Sequence, residues 1–560
     1  MEKNNPISQW PRLTAQLGKY QKIVNKAIMK LQKENIISRI WSKDHTIWSP
    51  YHDEITNRLG WLHIHQMMLP EIDTIENFTR EVRIAGYNQA LLLGMGGSSL
   101  APEVFQKTFG VRNGFLNLSI LDSTDPETVQ SKLSSLDLSR SLLIVSTKSG
   151  STVETVSFFK FFYTKVVEKV GTENAGSHFI AITDPGSNLT ELAKKYGFRK
   201  VFLNNPNIGG RYSALSYFGL VPAVFIGMDL KELLLRAGEM AELCEDENVI
   251  SEQGNVGFYL GIILGELAKI GRDKATFILS SEIQSFGDWV EQLIAESTGK
   301  DGKGILPVLG EEVGLPENYG DDRVFILIRL EGDRILDGRI DKLESAGFPV
   351  IRICLRDKYD LGALMFLYEM ATTVTGYVLG IHPFNQPNVE SAKVLAKKMV
   401  SSYLEGGSLP LDKSEIFDKN KLEEFLSCVK SGDYISIQAY IKTSDETDEV
   451  LSLLQTGLRN KYHVATTVGY GPRFLHSTGQ LHKGDAGKGF FIQFTSENIL
   501  DIPIPNEAGL TDSNITFGVL KAAQAVGDRQ ALLNEGRKVI RFHIGTSGVK
   551  TLRRYAESFV

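Results

Sequence analysis

Between residues 12 and 75 apolar positions recur at helical spacing, most plainly in LTAQLGKYQKIVNKAIMKLQ, and predict amphipathic helices. From about residue 85 the pattern changes to short apolar runs, each followed by a Gly, Ser or Thr loop and then a helical stretch. ALLLG (90–94) precedes MGGSSL, LSILD (118–122) precedes STDPETV, and SLLIVS (141–146) precedes TKSGSTVETV. HFIAIT (178–183) precedes DPGSNLTELAKKYG, and KVFLNN (200–205) precedes PNIGGRYSALS. Uninterrupted apolar strands alternating with helices predict a parallel sheet covered on both faces, with ligands at the carboxyl ends of its strands. The rhythm resumes at ATFILSS (275–281), RVFILIRL (323–330) and FPVIRICL (348–355), which predict a second sheet domain ending in a helix that runs to about residue 400.

The polar stretch YLEGGSLPLDKSE (403–415) then reads as a linker. Beyond it lie four strand candidates, YISIQAY, HVATTV, FFIQFT and KVIRFHI, with helices fitting between the first pair and between the last pair. That order, βαββαβ, suggests a ferredoxin-like α+β unit. The expected division is a helical N-terminal segment (1–75), α/β domains with doubly wound parallel sheets at 76–220 and 221–405, and an α+β C-terminal domain (406–560).

Composition narrows the function classes. At roughly 150 residues per domain, 560 residues suit three to four domains. A chain 42% apolar and 23% charged is ordinary globular stock, and a net charge of −6 argues against a surface built for nucleic acid. Three cysteines (Cys244, Cys354, Cys428) lie too far apart for a disulfide framework or a zinc ribbon, which suits a reduced, cytoplasmic setting. The opening MEKNNPISQWPR lacks the apolar run of a secretory signal. Stretches 212–228 and 361–381 approach spanning length, yet Pro222 and Glu369 interrupt them and no basic flank follows. Both read as buried helices of a large domain, with no membrane partner.

Four motifs carry candidate chemistry. Gly94-Met95-Gly96-Gly97-Ser98-Ser99 half-matches a dinucleotide fingerprint with Asp122 ending the next strand, but Ser99 replaces the third glycine. It is either a phosphate-binding turn or a tight turn capped by Ser98. Ser146-Thr147-Lys148-Ser149-Gly150-Ser151-Thr152 places five hydroxyls and an ammonium at a strand end and helix start. One hydroxyl would serve for capping, so this density points to a phosphomonoester. Gly209-Gly210-Arg211-Tyr212-Ser213 offers a fixed positive charge where backbone can approach a ligand, or simply a solvated loop arginine. In Glu291-Gln292-Leu293-Ile294-Ala295-Glu296-Ser297-Thr298-Gly299-Lys300, Glu296 shares a helix face with Gln292, as many plain helix ends would. His63-Ile64-His65 lacks the third ligand a metal site needs, and no metal is expected.

Together, GMGGSSL, STKSGSTVET, GGRYS, QLIAESTGK and FNQPNVESAK resemble, in that order, the glucose-6-phosphate isomerase (phosphoglucose isomerase) family, built from two sugar-isomerase (SIS) domains. The resemblance covers about residues 60–400 and extends to the isomerase part of bifunctional transaldolase/phosphoglucose isomerases. Those carry a C-terminal extension resembling YGPRFLHSTGQLHKG (470–484). It implies cofactor-free interconversion of glucose 6-phosphate and fructose 6-phosphate in a homo-oligomer with shared active sites. Glu296 would be the proton-transferring base, Arg211 the enediolate clamp, and Lys393 the group at the ring oxygen. Gly97, Ser98, Gly210, Gln292 and Gln386 would contact the sugar. Thr147, Lys148, Ser149 and Thr152 would hold the phosphate.

The family also implies a ring-opening histidine from a neighbouring subunit, after the glutamate motif. Between Glu296 and His382 this chain has none, and Arg323 falls nearest that place. His382, His476, His482 and a non-histidine group are the alternatives. If the C-terminal loop supplies it, that loop lies over the active site; the other reading is a structural loop in an oligomerisation domain. Competing functions are a non-catalytic sugar-phosphate sensor, a nucleotide-dependent oxidoreductase acting through residues 94–99, and an isomerase that also accepts mannose 6-phosphate.

Overall fold

The computed structural model describes residues 10–247, 249–407, 409, 415–546 and 548–559. The first nine residues of the opening segment, and residues 408 and 410–414 of the linker proposed at 403–415, lie outside the described residues. Strand β1 (Arg12–Gln16) is followed by β2 (Gln89–Gly94), β3 (Asn117–Leu121), β4 (Ser141–Ser146), β5 (Phe179–Thr183) and β6 (Lys200–Leu203). The last five form an all-parallel sheet in the order β3-β2-β4-β5-β6. Alternate residues feed opposite faces. Ala90, Leu92 and Ile144 join the large central core, while Leu91, Leu93 and Val145 pack on Phe158, Phe159 and Phe162 of the helix Val153–Val170.

Strands β7 (Lys274–Leu279), β8 (Leu306–Val308), β9 (Arg323–Leu330) and β10 (Val350–Leu355) are parallel to one another, and β1 adds an antiparallel edge to give β1-β10-β9-β7-β8. Residues 12–16, expected to be helical, are thus a strand. Their burial alternates exposed and buried along RLTAQ, the period of a half-covered edge, and the helix begins only at Gln21. The apolar stretch at 361–379 is a helix buried between the second sheet and its neighbours, and among the described residues no helix is long and apolar enough to cross a membrane.

The C-terminal region departs from the ferredoxin-like expectation. Strands β11 (Glu415–Ile416), β12 (Tyr434–Tyr440), β13 (Ala465–Tyr470), β14 (Gly489–Thr495) and β17 (Lys538–His543) form a third sheet, β11-β17-β14-β12-β13, in which every pairing is parallel. A short antiparallel pair, β15 (Pro503–Ile504) and β16 (Ile515–Thr516), lies between β14 and β17. The reason is the connection between β13 and β14. A 3-10 turn (Arg473–His476) and a helix (Gly479–Gly484) make it a crossover, which parallel strands require and a hairpin does not provide. Residues 434–440 are buried throughout, as a doubly covered parallel strand must be.

Candidate active site

Two glycine loops touch at the carboxyl ends of the first sheet. After β2 the chain turns through Gly96–Ser98 into the helix Leu100–Phe109, and after β6 it turns through Gly210–Tyr212. A Cβ on Gly97 would stand 2.1 Å from the Gly210 carbonyl oxygen, so only hydrogen lets these backbones meet. Beside that contact the Arg211 guanidinium is buried and engaged on every nitrogen. Nε donates to Ser297 Oγ (2.7 Å), Nη2 to the Pro383 and Asn385 carbonyls (2.8 and 3.1 Å), and Nη1 to Gln386 Oε1 (3.0 Å). Nη1 also lies 3.2 Å from Glu296 Oε1. The helix Phe286–Thr298 presents Gln292 one turn before Glu296, and Gln292 Nε2 donates to Glu296 Oε2 at 3.0 Å. Lys300 is buried beneath, donating to the His382 and Asn385 carbonyls; burial, reinforced by the Arg211 charge, pushes its ammonium well below the ordinary range.

The hydroxyl-rich loop after β4 lies to one side. Thr147 and Thr152 hydroxyls are 3.0 Å apart, as are those of Ser149 and Ser151. Lys148 turns away, pairing with Asp184 and donating to the Pro206 carbonyl at 3.2 Å, so it braces the loops after β4, β5 and β6. Ser149, Ser151 and Thr152 line a cavity of about 540 Å³, a size suited to a small ligand, together with Lys393, Lys397, His476, Glu154 and Glu390. Lys393 Nζ is 3.8 Å from Glu390 on the helix Val389–Gly406. Hydroxyls and ammonium groups together suit an anion.

Arg211 and Glu296 do not border that cavity. His476 links the two regions: it lines the cavity, and its carbonyl accepts from the same Gln292 Nε2 that holds Glu296, at 2.7 Å. Its Nε2 is 2.9 Å from Oε1 of buried Glu154, which also accepts from Gln524 at 2.7 Å. Burial works to raise the Glu154 carboxyl, but His476 and, more weakly, Lys393 hold it below the ordinary value.

Residues 76–304 match the family model described as phosphoglucose isomerase. That stretch of the chain is similar to phosphoglucose isomerases. The glucose-6-phosphate isomerase of Methanocaldococcus jannaschii is 28% identical over 360 residues, spanning 58% of this chain and 87% of that protein. The glucose-6-phosphate isomerase of Campylobacter jejuni is 26% identical over 417 residues, spanning 64% of this chain and 98% of that one. Among solved structures, a hypothetical protein from Thermus thermophilus superposes with a TM-score of 0.58 at 25% identity, over 69% of this chain and 99% of that chain. A glucose-6-phosphate isomerase from Chlamydia trachomatis shares the fold with a TM-score of 0.52 at 20% identity, over 65% of this chain and 77% of that chain.

Lys393, Gln386 and His476 all lie beyond the residues matched to the phosphoglucose isomerase model, so their place depends on the structure of this chain. The other histidines are occupied elsewhere. His382 donates from Nε2 to the Asp53 carbonyl and accepts at Nδ1 from the Phe384 N–H, both at 3.1 Å. His482 is buried under the third sheet beside Gln438, where burial keeps it well below its usual pKa. Arg323 is fully buried and bidentate on Glu311 (2.8 and 3.0 Å), which also accepts the Thr466 N–H, so it ties the second sheet to the third. Asp122, the acidic residue following the half-matched dinucleotide fingerprint, pairs with Arg473 at 3.1 Å. Sequence reading missed Ser297, Glu154, Gln524 and Arg473. Ser297, Glu154 and Arg473 sit inside QLIAESTGK, STKSGSTVET and YGPRFLHSTGQLHKG; Gln524 belongs to no motif.

Proposed function

We propose that the protein interconverts glucose 6-phosphate and fructose 6-phosphate through a cis-enediolate, a step of glycolysis and gluconeogenesis. The observation that carries this reading is the Arg211–Glu296 pair at 3.2 Å, a base and an anion clamp fixed by neighbours that already satisfy the rest of the guanidinium. The substrate phosphate sits against Ser149 and Thr152 at the start of the helix Val153–Val170, where the helix dipole favours a dianion.

In the open-chain aldose, the Glu296 carboxylate takes the proton from C2. The electron pair becomes the C1–C2 double bond, and the charge passes to O1 beside Arg211. The O2 hydroxyl proton moves to O1, C2 becomes the carbonyl, and Glu296 returns its proton to C1. A C–H bond is a weak acid, so the clamp must stand in place before the proton leaves. A homo-oligomer in the cytoplasm is part of this proposal and is supported by the family resemblance alone.

Glu296→Gln keeps the shape and the Gln292 contact but removes the base. Steady-state isomerisation should fall by about 10²–10⁴-fold with substrate binding retained. Near-normal turnover in that variant would sink the assignment. A wild-type protein that binds the sugar phosphate without turnover would establish the sensor reading instead.

A further inference from the structure

We propose that His476 opens the sugar ring and is delivered by the chain's own C-terminal region, so that one chain holds a complete isomerase site. The inference rests on the isomerase reading above and adds a residue and a source for it.

A cyclic hexose phosphate has no carbonyl for Glu296 to work against, so some group must first take the anomeric hydroxyl proton. The cavity offers hydroxyls, ammonium groups, His476, Glu154 and Glu390, the last paired with Lys393 at 3.8 Å. Hydroxyls and ammonium groups are poor proton acceptors at neutral pH, and Glu154 Oε1 already takes two hydrogen bonds. Imidazole is the side chain suited to accept there. An ionised Glu154 accepts from Nε2–H of His476, which fixes the tautomer with its lone pair on Nδ1.

The backbone of His476 is fixed too. Gln292 binds its carbonyl and the Glu296 carboxylate with one amide nitrogen, so the two proton-handling residues are placed by the same side chain. Three residues earlier, Arg473 is set among the carboxylates of Glu103, Asp122 and Asp288, which pins the segment to the first sheet domain and to the helix bearing Glu296.

The step balances as follows. Nδ1 takes the anomeric O–H proton, that oxygen's electron pair forms the carbonyl, and the bond from the anomeric carbon to the ring oxygen breaks. The ring oxygen takes a proton from the Lys393 ammonium, which borders the same cavity, and the imidazolium proton later returns to the Lys393 amine through solvent.

Ring opening can be read apart from isomerisation as exchange between the α and β anomers of glucose 6-phosphate, followed by exchange NMR. Catalysed anomer exchange should persist in Glu296→Gln and fall about 100-fold or more in His476→Gln. An acyclic aldonate 5-phosphate, which resembles the enediolate and needs no ring opening, should bind His476→Gln within about threefold of wild type. Unchanged anomer exchange in His476→Gln overturns the proposal. So does parallel loss of aldonate binding, which marks a structural role. Co-refolding His476→Gln with Glu296→Gln tests the source: activity stays lost if each chain supplies its own histidine, and recovery in mixed oligomers overturns that assignment. A wild type without isomerase activity would instead overturn the function on which this inference rests.

Discussion

Arg211 Nη1 stands 3.2 Å from Glu296 Oε1 while the rest of its guanidinium is committed to Ser297, Pro383 and Asn385. A lysine has one nitrogen and cannot serve these acceptors and the enediolate together. Arg211→Lys should therefore lower kcat by about 10²–10³-fold, the loss typical of an oxyanion donor. KM should change far less, and steady-state kinetics on fructose 6-phosphate check both.

Gly97 carries the contact that seats this arginine. An alanine there must push back the Gly210 carbonyl, which a Cβ would meet at 2.1 Å, and Arg211 follows Gly210 in the chain. Gly97→Ala should lose about 1–3 kcal/mol of stability, as overpacking does, and most of the activity as well. Urea unfolding and kcat measured on the same preparation would show the two losses together.

Burial drives the carboxyl of Glu369 well above its usual range, and neither of its oxygens has a partner among the described residues. The folded state therefore keeps a proton that the unfolded chain releases above about pH 4.3. Stability tied to this group is fully present below that pH and is lost as pH rises toward the folded pKa. Glu369→Gln lacks this dependence. The variant should gain on wild type by up to about 1.4 kcal/mol per pH unit above that threshold, seen as melting temperatures that diverge between pH 5 and pH 8.

Arg473 lies among three carboxylates at the junction of the C-terminal region and the first sheet domain. Arg473→Met leaves Glu103, Asp122 and Asp288 facing one another with Lys107, bound to Glu103 at 2.8 Å, and Lys132 as nearby cations. Breaking this half-buried ion cluster should cost between the ~1 kcal/mol of a surface pair and the roughly 3–5 kcal/mol of a buried one. Calorimetry should show that loss, and kcat should fall as the segment bearing His476 comes loose. A variant with wild-type stability and turnover would remove the clamp from this account.

The first sheet and β7, β9 and β10 of the second were legible as apolar runs ended by loops, and ALLLG and SLLIVS are buried in full as such runs imply, while the three-residue β8 was too short to read. The apolar run of a strand carries no direction, so the third sheet's strands were found while their parallel order was not; the crossover at 473–484 is too short to advertise itself. RLTAQ was missed because its alternation runs unbroken into a helical pattern. In the site, Glu296 and Arg211 stand in separate motifs whose spacing says nothing of their 3.2 Å approach. The pairing of Glu154 with His476 joins residues 322 positions apart, and no local pattern could have chosen His476 over His382 or His482.

The edge strand β1 also sets an order on synthesis. Gln16 pairs with Val350, so β1 leaves the ribosome long before the strand that receives it. At about 5–20 residues per second the interval is roughly 20–70 s. The first sheet, complete by Leu203, can form within that interval, while the amphipathic β1 segment waits with an unpaired edge. Chaperone capture of nascent chains should therefore centre on lengths at which the first sheet has emerged and β10 has not.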